Sequence, residues 1–599
     1  MLDLGRTFLQ SVERSPNALA LVDGDMQLTY AQWHRMILNV ADALRELGLQ
    51  RGDRLLVVLQ NRWEMATLHW AGQFSGIVIV PLNWRAKPEE VEYCVTDAGV
   101  KAIVYEPVCA DAVVESAAAQ HVPRIGLDDA PGRTMAFDAL LAERTRTGET
   151  THATADDISL ILYTSGTTGK PKGVPRRHRH ERAGALAHVA QNLYRRGERT
   201  LGVMPLYHTM GVRSLLSMAL VDGVFVCVRR WNAKLALESI AKYALTCLYL
   251  VPTLYHDLLA DSAFASTDTS SVRKLGFAGA PMNDGLLKRL SAAFEPEIFV
   301  NHYGSSEVYT VSIDQDATRK PGSAGRAGVN TRLRVVKLDA VSPDEIAQAG
   351  EEGQIIADLL GDEAFEGYWN RPDANAKSLR EGWYFTGDTG YFDRDGDLYV
   401  TGRVDDMIIS GGENISPVDI ESVLSLHPAV DEVAVAGVKD ERWGQRVVAF
   451  IKRREYVDAE ALDAWCRQSD LVNFKRPRDY VFVDDIPKSP VGKILRRKLS
   501  AGRIRIRRQR STHTDHKGVT RYERFEPSRP DAAARTRRLL GRDRRRTRAR
   551  RHHPASAAVE CHFDARARPV APRLRGAGRR RARARDRRAR DGRALFERR

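Results

Sequence analysis

The sequence has few cysteines, and none of them stands in an arrangement typical of a site. Its six cysteines form no C-x-x-C pair, and no histidine stands at the spacing of a zinc ligand. They are Cys94, Cys109, Cys227, Cys247, Cys466 and Cys561. This pattern argues against a disulfide framework and against a zinc site, and it favours a reducing cytoplasm.

Long hydrophobic runs are also missing. No segment approaches the roughly eighteen consecutive apolar residues that a membrane-spanning helix needs. At the N-terminus, Asp3 precedes any apolar run, and the charged and then apolar pattern of a signal peptide is absent. We therefore expect a globular protein without a membrane partner and without an export signal.

Lysine is nearly missing from the C-terminal tail, although the whole chain has a formal net charge of +15. Residues 501–599 contain 34 Lys and Arg and 10 Asp and Glu, a net charge of +24, which leaves −9 for residues 1–500. Lys517 is the single lysine of this tail, which otherwise combines arginine with alanine, glycine and proline. With so few large apolar residues the tail cannot form a core, and we expect it to be disordered.

Two interpretations of this tail compete. An arginine-rich arm would bind polyanions such as nucleic acid. Out-of-frame translation of GC-rich DNA would produce the same mixture of residues. We favour the second interpretation, because a basic arm usually includes lysine and because Arg496-Arg497-Lys498-Leu499 suits the end of the folded part. Nucleic acid is therefore not our expected partner.

The most informative segment that is present covers residues 163–173, YTSGTTGKPKG, directly after the apolar run at residues 158–162. Its glycines let the backbone approach an anion closely, its hydroxyls can donate hydrogen bonds to phosphate oxygens, and its lysines supply positive charge. We predict that it binds the phosphates of ATP. The residues expected to do so are Thr164, Ser165, Gly166, Thr167, Thr168, Gly169 and Lys172.

The common nucleotide-binding motifs are absent from this segment. It has no G-x-x-x-x-G-K-[ST] of a P-loop and no G-x-G-x-x-G at the start of a helix, so neither of those folds is indicated. An ordinary surface loop rich in Ser, Thr and Gly is the alternative. We prefer the phosphate-binding interpretation, because an ordinary loop rarely combines all of these groups after a buried strand.

The chain of 599 residues is too long for one hydrophobic core. Up to about residue 400, short β-rich runs alternate with amphipathic helical patterns, which predicts an α/β fold with a large layered N-terminal domain. Strands are predicted at residues 55–59, 76–80, 159–163, 245–251 and 298–303, and a helix at residues 283–294. Beyond Arg403 the pattern restarts as a small, compact α+β domain of roughly a hundred residues. The predicted domains are residues 1–404, 405–500 and 501–599.

Five further segments are informative when they are considered together with residues 163–173. They are Asn301-His302-Tyr303-Gly304-Ser305-Ser306-Glu307, Tyr384-Phe385-Thr386-Gly387-Asp388, Gly402-Arg403-Val404-Asp405-Asp406, Gly411-Gly412-Glu413-Asn414 and Pro487-Lys488-Ser489-Pro490-Val491-Gly492-Lys493-Ile494. In this order and spacing, the chain from about residue 5 to residue 500 resembles the adenylate-forming superfamily of acyl-CoA synthetases, luciferases and peptide-synthetase adenylation domains. Segments such as Met204-Pro205-Leu206-Tyr207-His208 and Phe474-Lys475-Arg476-Pro477 are most similar to aryl-CoA ligases of the chlorobenzoate and benzoate type.

The resemblance implies a reaction in two steps. A carboxylate attacks the α-phosphate of MgATP to give acyl-AMP and pyrophosphate, and the thiol of coenzyme A then displaces AMP. Because the first step brings two anions together, cationic and hydrogen-bonding groups must offset their repulsion. ATP, Mg²⁺ and coenzyme A are thus the implied cofactor and co-substrates.

Four catalytic residues follow from the resemblance. Lys493 is implied to contact both the carboxylate and the α-phosphate, and Glu307 to provide a hard oxygen ligand for Mg²⁺. A solvated lysine and a buried ion-paired glutamate are the alternatives for these two. Ser306 stands where the family more often has threonine and retains the hydroxyl for the α-phosphate. His208 lies in the Pro-Leu-Tyr-His segment beside the acyl group, and a purely structural histidine is the alternative.

The remaining ATP contacts implied by the resemblance surround the nucleoside. Asp388 would accept hydrogen bonds from both ribose hydroxyls, and Arg403 would contact ribose and phosphate. Tyr303 would stack on adenine against the backbone of Gly279, Ala280 and Pro281, with Gly304 beside it. A lone tyrosine is more often part of a core, which is the alternative for Tyr303.

Two chemistries in one site require an exchange of catalytic groups, which relatives achieve by rotating the small domain. Asp405 matches the hinge of this rotation. Gly411 and Gly412 would then replace Lys493 in the site and line the channel for coenzyme A. Further positions matching coenzyme A contacts are Arg85, Trp443, Phe474 and Arg476. For the two aromatic residues a core position is the alternative.

The acyl pocket implied by the resemblance is small, largely apolar and without an anion. Its predicted residues are His208, Thr209, Met210, Val251, Ala280 and Gly304. Amino-acid-activating relatives need an acidic residue near the position of His208, so an amino-acid substrate is not indicated. Benzoate-like, furoate-like and alicyclic acids remain open, and a short- or medium-chain fatty acid is the alternative. One methylene changes binding by only about 1–3 kcal/mol, so residue identities cannot rank these acids.

The sequence therefore predicts an ATP-dependent aryl-type acyl-CoA ligase. An adenylating enzyme that loads a carrier protein is an alternative, but no carrier domain is recognisable after residue 500. The alternative from a different class is a nucleic-acid-binding protein that uses the arginine tail. For the oligomeric state, the resemblance allows both a monomer and a dimer.

Overall fold

The computed structural model describes residues 2–144, 151–164, 171–411, 413–488 and 494–502, without the side chains of Asp405 and Asn414. Several residues predicted to be functional lie outside the described residues; they are Ser165, Gly166, Thr167, Thr168, Gly169, Gly412 and Lys493. The tail predicted to be disordered also lies outside them, apart from Ala501 and Gly502.

Helix boundaries follow local sequence signals. The helix predicted at residues 283–294 is confirmed by α10, Asp284–Phe294. It begins there because Asn283 caps it, accepting a hydrogen bond from the Leu286 amide. Thr29 and Gln32 form a capping box at another helix start. The α-helices of the described residues are α1 Leu4–Arg14, α2 Tyr30–Glu46, α3 Trp63–Ser75, α4 Pro88–Ala98, α5 Ala110–Val114, α6 His178–Gln191, α7 Thr209–Leu220, α8 Ala233–Tyr243, α9 Pro252–Ala260, α10 Asp284–Phe294, α11 Pro372–Ser378, α12 Pro417–Ser425, α13 Ala459–Gln468 and α14 Arg496–Ser500.

The predicted strands all exist, with ends that differ by up to two residues. The strands of the described residues are β1 Leu19–Asp23, β2 Met26–Thr29, β3 Arg54–Val58, β4 Val78–Pro81, β5 Val100–Tyr105, β6 Arg124–Gly126, β7 Met135–Ala136, β8 Ile158–Thr164, β9 Lys172–Arg177, β10 Arg199–Gly202, β11 Val224–Cys227, β12 Cys247–Leu250, β13 Lys274–Phe277, β14 Ile298–Tyr303, β15 Ser312–Asp314, β16 Ser323–Ala327, β17 Leu333–Val336, β18 Gly353–Asp358, β19 Leu379–Arg380, β20 Trp383–Phe392, β21 Leu398–Arg403, β22 Ile408–Ser410, β23 Glu413–Ile415, β24 Val430–Asp440, β25 Gly444–Arg453 and β26 Asp479–Val483.

Two sheets make up the large N-terminal part of the described chain. One has the strand order β7-β6-β5-β3-β4-β8-β9, with only its β8–β9 pair antiparallel. The other has the order β17-β18-β20-β21-β16-β15-β14-β13-β12-β10-β11-β1-β2, with β19 beside β20. It is parallel from β11 through β10, β12 and β13 to β14, and antiparallel from β14 to β17.

A third sheet forms the small C-terminal part. It has the order β23-β22-β25-β24, with β26 parallel to β25, and α12 and α14 pack on β24. Its own core includes Ile408, Ile420, Val435, Ala449 and Leu462. The architecture confirms the predicted α/β fold class, with a large N-terminal domain and a small C-terminal one. The domain boundary at residues 404 and 405 stays a prediction; a 3₁₀ turn, Val404–Asp406, lies there.

Parallel strands bring their carboxyl ends to one edge of a sheet, and this arrangement positions the candidate site. Strands β12, β13 and β14 are neighbours, so the residues that follow them converge. Those residues are Val251 after β12, the turn at residues 278–281 after β13, and residues 304–307 after β14. Helix α7 packs against α6 and contacts β10, β11 and β12.

Two further features concern the described residues as a whole. Their five cysteines are free and buried; they are Cys94, Cys109, Cys227, Cys247 and Cys466. None of the described helices combines the length and the apolar character that crossing a bilayer requires.

Candidate active site

The two ends of the predicted phosphate loop lie side by side. Strands β8 and β9 are antiparallel, with Tyr163 opposite Gly173 and Thr164 opposite Lys172. The Thr164 hydroxyl donates a 3.3 Å hydrogen bond to the Lys172 carbonyl oxygen. The Tyr163 hydroxyl donates to Asp97 Oδ2 at 2.6 Å and thereby anchors the strand that leads into the loop. Thr164 and Lys172 are thus neighbours at the base of residues 165–170.

The Lys172 ammonium group belongs to a cluster that also contains Glu307. Its Nζ lies 4.1 Å from the centre of the Tyr368 ring, a cation–π contact. The Tyr368 hydroxyl donates a 2.7 Å hydrogen bond to Glu307 Oε1. Burial lowers the pKa of Lys172, and the negative charge of Glu307 opposes that shift. The structure therefore brings together the predicted phosphate-binding lysine and the predicted Mg²⁺ ligand through Tyr368.

A second cluster joins three residues predicted to contact the nucleoside. Asp388 on β20 is paired in register with Arg403 on β21, and Arg403 Nε lies 3.5 Å from Asp388 Oδ1. The Tyr303 hydroxyl donates a 2.7 Å hydrogen bond to Asp388 Oδ2. Burial raises the pKa of Tyr303 well above its usual value, and the Asp388 charge adds to this shift. Burial alone would lower the pKa of Arg403, but the nearby Asp388 carboxylate raises it.

The predicted nucleoside turn after β13 depends on a glycine. Gly279 has a φ of +83°, a backbone conformation that favours glycine. A Cβ at this position would lie 3.3 Å from Val251 Cγ1 and 3.8 Å from Met210 Sδ, so the turn contacts two predicted acyl-pocket residues. Gly279 and Pro281 are exposed and Ala280 is half-buried.

Gly304, after β14, lies against backbone. A Cβ there would be 2.0 Å from the Tyr309 carbonyl oxygen, so no side chain fits without displacing the chain. Gly304 itself is exposed on its other side. The close packing holds the segment that carries Ser306 and Glu307 at the end of the strand.

The predicted acyl-pocket residues gather at the start of α7. His208 is the N-cap of this helix, and its Nδ1 accepts a 3.3 Å hydrogen bond from the Met210 amide. The hydroxyl oxygens of Thr209 and Ser306 lie 3.2 Å apart. Met210 and Val251 belong to one buried apolar cluster, whose members are Met204, Met210, Tyr249, Val251 and Ala278. We refer to these five residues as the apolar cluster.

The predicted coenzyme A residues fall into separate groups. The Gly411 amide donates a 2.9 Å hydrogen bond to the Trp443 carbonyl oxygen, and a Cβ on Gly411 would lie 2.7 Å from the Trp443 ring. Arg476 is paired with Asp463 at 2.8 Å. Phe474 is 41% exposed on the 3₁₀ turn Asn473–Lys475.

Arg85, the coenzyme A residue predicted in the large domain, lies near the acyl pocket. Its guanidinium carbon is 3.8 Å from the centre of the Trp84 ring. Burial raises the pKa of Tyr207 to about 12, and the Arg85 charge opposes that shift. Arg85 is exposed, and Tyr207 directly precedes His208, a predicted acyl-pocket residue.

The segment that carries Lys493 lies outside the described residues, but its two flanks are paired. Lys488 and Ile494 form an antiparallel bridge, and the Leu495 amide donates a 2.8 Å hydrogen bond to the Pro487 carbonyl oxygen. The Lys488 ammonium lies 2.7 Å from Glu432 Oε2. The chain is therefore held on both sides of residues 489–493.

Sequence reasoning missed two residues that the structure places among the predicted ones. Tyr368 contacts both Lys172 and Glu307, yet it lies 61 positions from Glu307 in the sequence, so no local pattern indicates it. Arg213 is buried on α7. Its position, four residues after Thr209, could have indicated it, because residues four apart lie on the same face of a helix.

Comparisons with known proteins agree with this arrangement. The sequence model for the AMP-binding enzyme family matches residues 8–369, and the model for the AMP-binding enzyme C-terminal domain matches residues 419–493. A 4-chlorobenzoate–CoA ligase from Arthrobacter sp. is 34% identical over 502 residues, which cover 82% of this chain and 93% of that protein. A long-chain-fatty-acid–CoA ligase from Mycobacterium tuberculosis is 33% identical over 508 residues, covering 83% and 97%. The crystal structure of ATP-bound MatB from Rhodopseudomonas palustris is similar with a TM-score of 0.74 and 28% identity, covering 83% of this chain and 99% of that one.

Proposed function

Because this chain belongs to the AMP-binding enzyme family and is an AMP-forming acyl-CoA synthetase, we propose that its own substrate is a small aromatic, heteroaromatic or alicyclic carboxylic acid. The enzyme uses ATP to convert a carboxylic acid into an acyl-AMP and then transfers the acyl group to coenzyme A. What remains to be assigned is the acid, and the part that each residue takes.

The observation that carries this proposal is the contact of the apolar cluster with two buried histidine rings. The Tyr249 ring lies 4.7 Å from the His188 ring and 5.0 Å from the His302 ring, and all three side chains are buried. A planar ring of benzoate size matches an apolar cluster that ends on aromatic rings. A long acyl chain would need the cluster to continue past them. The 34% identical relative named for 4-chlorobenzoate is consistent with this choice.

A fatty acid is the second candidate, which the 33% identical long-chain-fatty-acid ligase favours. Loading of a carrier protein and binding of nucleic acid through the tail are not part of the proposal.

The free, buried cysteines suit a reducing compartment, and we therefore propose the cytoplasm as the location.

In the adenylation step, the residues described above would share the work of holding ATP. Thr164 and Lys172, with residues 165–169, would contact the β- and γ-phosphates that leave as pyrophosphate. Asp388 would accept the ribose hydroxyls, held in place by Tyr303 and Arg403. Lys493 would approach the carboxylate and the α-phosphate, a role that rests on the sequence alone.

Glu307 fits the Mg²⁺ that accompanies ATP. Its carboxylate is a hard donor, one of its oxygens is oriented by Tyr368, and Mg²⁺ commonly takes one or two protein carboxylates together with phosphate oxygens. Bound Mg²⁺ would neutralise phosphate charge as it develops in adenylation. Lys172 lies on the other side of Tyr368 and would contact phosphate oxygens directly.

The thioester step would use a different face of the small domain. We propose that the domain rotates about Asp405, so that Gly411 and Gly412 replace Lys493 and line the path of coenzyme A. Arg85, Trp443, Phe474 and Arg476 would contact the nucleotide part of coenzyme A. In the present arrangement Arg476 is paired with Asp463, so this pair would have to open.

Pyrophosphate release across a panel of acids, with and without coenzyme A, tests the proposal. The panel contains benzoate, 2-furoate, cyclohexanecarboxylate and octanoate. We expect the cyclic acids to give the highest kcat/KM, and acyl-AMP to remain bound when coenzyme A is omitted. Turnover of octanoate alone would support the fatty-acid candidate and reject the cyclic acids.

A further inference from the structure

A second group of buried side chains adjoins the apolar cluster and is polar. It consists of His188 on α6, Arg213 on α7 and His302 on β14, and we refer to these three residues as the polar cluster. The rings of His188 and His302 are stacked with centroids 5.1 Å apart. The Tyr249 ring, a member of the apolar cluster, contacts both of them.

Arg213 lies on the face of α7 that also carries Thr209 and Met210. Its guanidinium carbon is 5.0 Å from the centre of the Tyr309 ring, and its Nη2 is 3.9 Å from Glu363 Oε2. Burial raises the pKa of Tyr249, and the charge of Arg213 opposes this shift.

The Arg213 guanidinium donates no hydrogen bond within the described residues. Its Nε, Nη1 and Nη2 are all buried, and each lacks an acceptor at hydrogen-bonding distance among those residues. A guanidinium carries five N–H groups, and buried donors nearly always find acceptors. A buried guanidinium whose N–H groups lack acceptors, beside the predicted acyl pocket, therefore points to an acceptor that arrives with the substrate.

The two histidines complete the pattern of donors and acceptors. Asn192 Nδ2 donates to His188 Nδ1 at 3.1 Å, while His302 Nε2 donates to Asn192 Oδ1 at 3.1 Å. Both histidines are neutral, because burial lowers their pKa values well below the usual range. His188 Nε2 is then a donor and His302 Nδ1 an acceptor, and neither has a partner among the described residues.

The charge balance favours an uncharged substituent. Arg176 is paired with Glu181 at 2.9 Å, and Arg213 lies near Glu363, so these four buried groups have no net charge. A second carboxylate on the substrate would bury a negative charge without a counter-ion. A hydroxyl accepts a hydrogen bond from a guanidinium or an imidazole N–H and donates one to His302 Nδ1.

We propose that the polar cluster selects an aromatic acid that carries a hydroxyl group on the side of the ring distal to the reacting carboxylate, with Arg213 as a specificity-determining residue. This inference rests on the proposed function, because it takes the aromatic substrate as given. It adds the substituent, which the apolar cluster does not determine.

The test compares each hydroxylated acid with its unsubstituted parent. Pyrophosphate release is measured for benzoate, 3-hydroxybenzoate and 4-hydroxybenzoate, for cinnamate and 4-hydroxycinnamate, and for terephthalate and octanoate. We expect kcat/KM of at least one hydroxylated acid to exceed that of its parent by about tenfold or more, because a site built to bind a hydroxyl discriminates strongly against its absence.

Two variants of the polar cluster test the residues themselves. The double substitution Arg213→Met with Glu363→Gln removes both charges together, which avoids leaving Glu363 without its cation. The single substitution His302→Leu removes only the acceptor. Both should lower the ratio of kcat/KM between the hydroxylated acid and its parent. The control Arg182→Met, on the same helix as His188, should leave the ratio unchanged.

Each outcome separates this inference from the proposed function. Turnover of octanoate alone rejects both. Turnover of both benzoate and cinnamate at least equal to that of their hydroxylated forms rejects the inference and leaves the aromatic proposal standing. Preference for terephthalate also rejects it, because the polar cluster would then bind an anion. An unchanged ratio in both polar-cluster variants would show that the preference originates elsewhere.

Discussion

The Tyr368 hydroxyl donates a 2.7 Å hydrogen bond to Glu307 Oε1, while the ring of Tyr368 lies 4.1 Å from the Lys172 ammonium. One side chain therefore positions both a carboxylate and a cation. Glu307 is the proposed Mg²⁺ ligand and Lys172 a proposed phosphate contact. Tyr368 would therefore fix the position of the metal ligand relative to the phosphate-binding lysine.

Replacing Tyr368 with Phe tests this relationship. The ring and its contact with Lys172 are kept, and the hydrogen bond to Glu307 is lost. A hydrogen bond to a charged group contributes roughly 1.5–3 kcal/mol, so adenylation should slow by about 10- to 100-fold. The Mg²⁺ concentration for half-maximal pyrophosphate release should rise. Tyr391→Phe, which alters a tyrosine stacked on Tyr399 instead, is the matched control.

A substitution of Lys493 should affect the two half-reactions differently. Lys493→Ala should reduce acyl-AMP formation by about a hundredfold or more, because a cation at the developing charge is lost. Thioester formation from supplied acyl-AMP and coenzyme A should be largely retained. Lys498→Ala, five residues further along the chain, serves as the control. Equal losses in both half-reactions would argue that Lys493 acts by stabilising the fold.

Two glycine-to-alanine substitutions should have opposite effects. At Gly304 a Cβ would lie 2.0 Å from the Tyr309 carbonyl oxygen, so Gly304→Ala should destabilise the protein by about 1–3 kcal/mol and displace Ser306 and Glu307. At Gly285, in α10, the nearest atom to a Cβ is Asn283 Oδ1 at 3.5 Å. Gly285→Ala should therefore stabilise the protein by roughly 0.5–1 kcal/mol. Thermal unfolding and pyrophosphate release measure both effects.

The contact between His256 and Asp431 joins the two domains and predicts a pH dependence. The Asp257 carboxylate, 3.6 Å from His256 Nδ1, raises the pKa of His256; burial opposes the shift, and the Asp431 charge, 3.2 Å away, adds to it. A raised folded-state pKa stabilises the protein below the unfolded pKa of about 6.5, and this stability is lost as pH rises through the folded-state pKa. His256→Gln should therefore lower the free energy of unfolding by about 0.2–1 kcal/mol at pH 5.5, and much less at pH 9.

The control for this prediction is His152, whose pKa shift has the opposite sign. Burial and the nearby Arg45 lower the pKa of His152. A lowered pKa destabilises the folded state at low pH, because the histidine must then lose a proton to fold. The free energy of unfolding of His152→Gln, taken relative to that of the wild type, should thus be higher at pH 5.5 than at pH 9. The same trend in both variants would mean that at least one of the two pKa shifts does not have the assigned sign.

A stop after Gly502 tests the role of the tail. This truncation keeps α14 and the buried Leu499, which belongs to the core of the small domain. Ligase activity should be unchanged, because the described site residues lie before residue 503. Complete loss of activity would contradict the domain scheme, and loss of nucleic-acid binding alone would revive the interpretation of the tail as a basic arm.

Much of the fold could be predicted from the sequence, because strand and helix formation depend on local patterns. The strand predicted at residues 298–303 coincides with β14, and the predicted helix differs from α10 only by its N-cap, Asn283. The pairing of strands distant in the chain could not be predicted. Strand β1, for example, pairs with β11, and that pairing depends on packing of the whole domain.

The sequence by itself determined the family, the chemistry and most of the residues that the structure brings together. Short motifs encode these, since the backbone shape that holds a phosphate or a ribose is built from adjacent residues. Only the tertiary structure decided which groups meet across the chain. Tyr368 contacts Glu307, and Arg213, His188 and His302 adjoin the apolar cluster, because parallel strands and α7 bring distant side chains to one buried location. Burial then removes water as a partner for these polar groups, so their unmet hydrogen bonds become a requirement on the substrate.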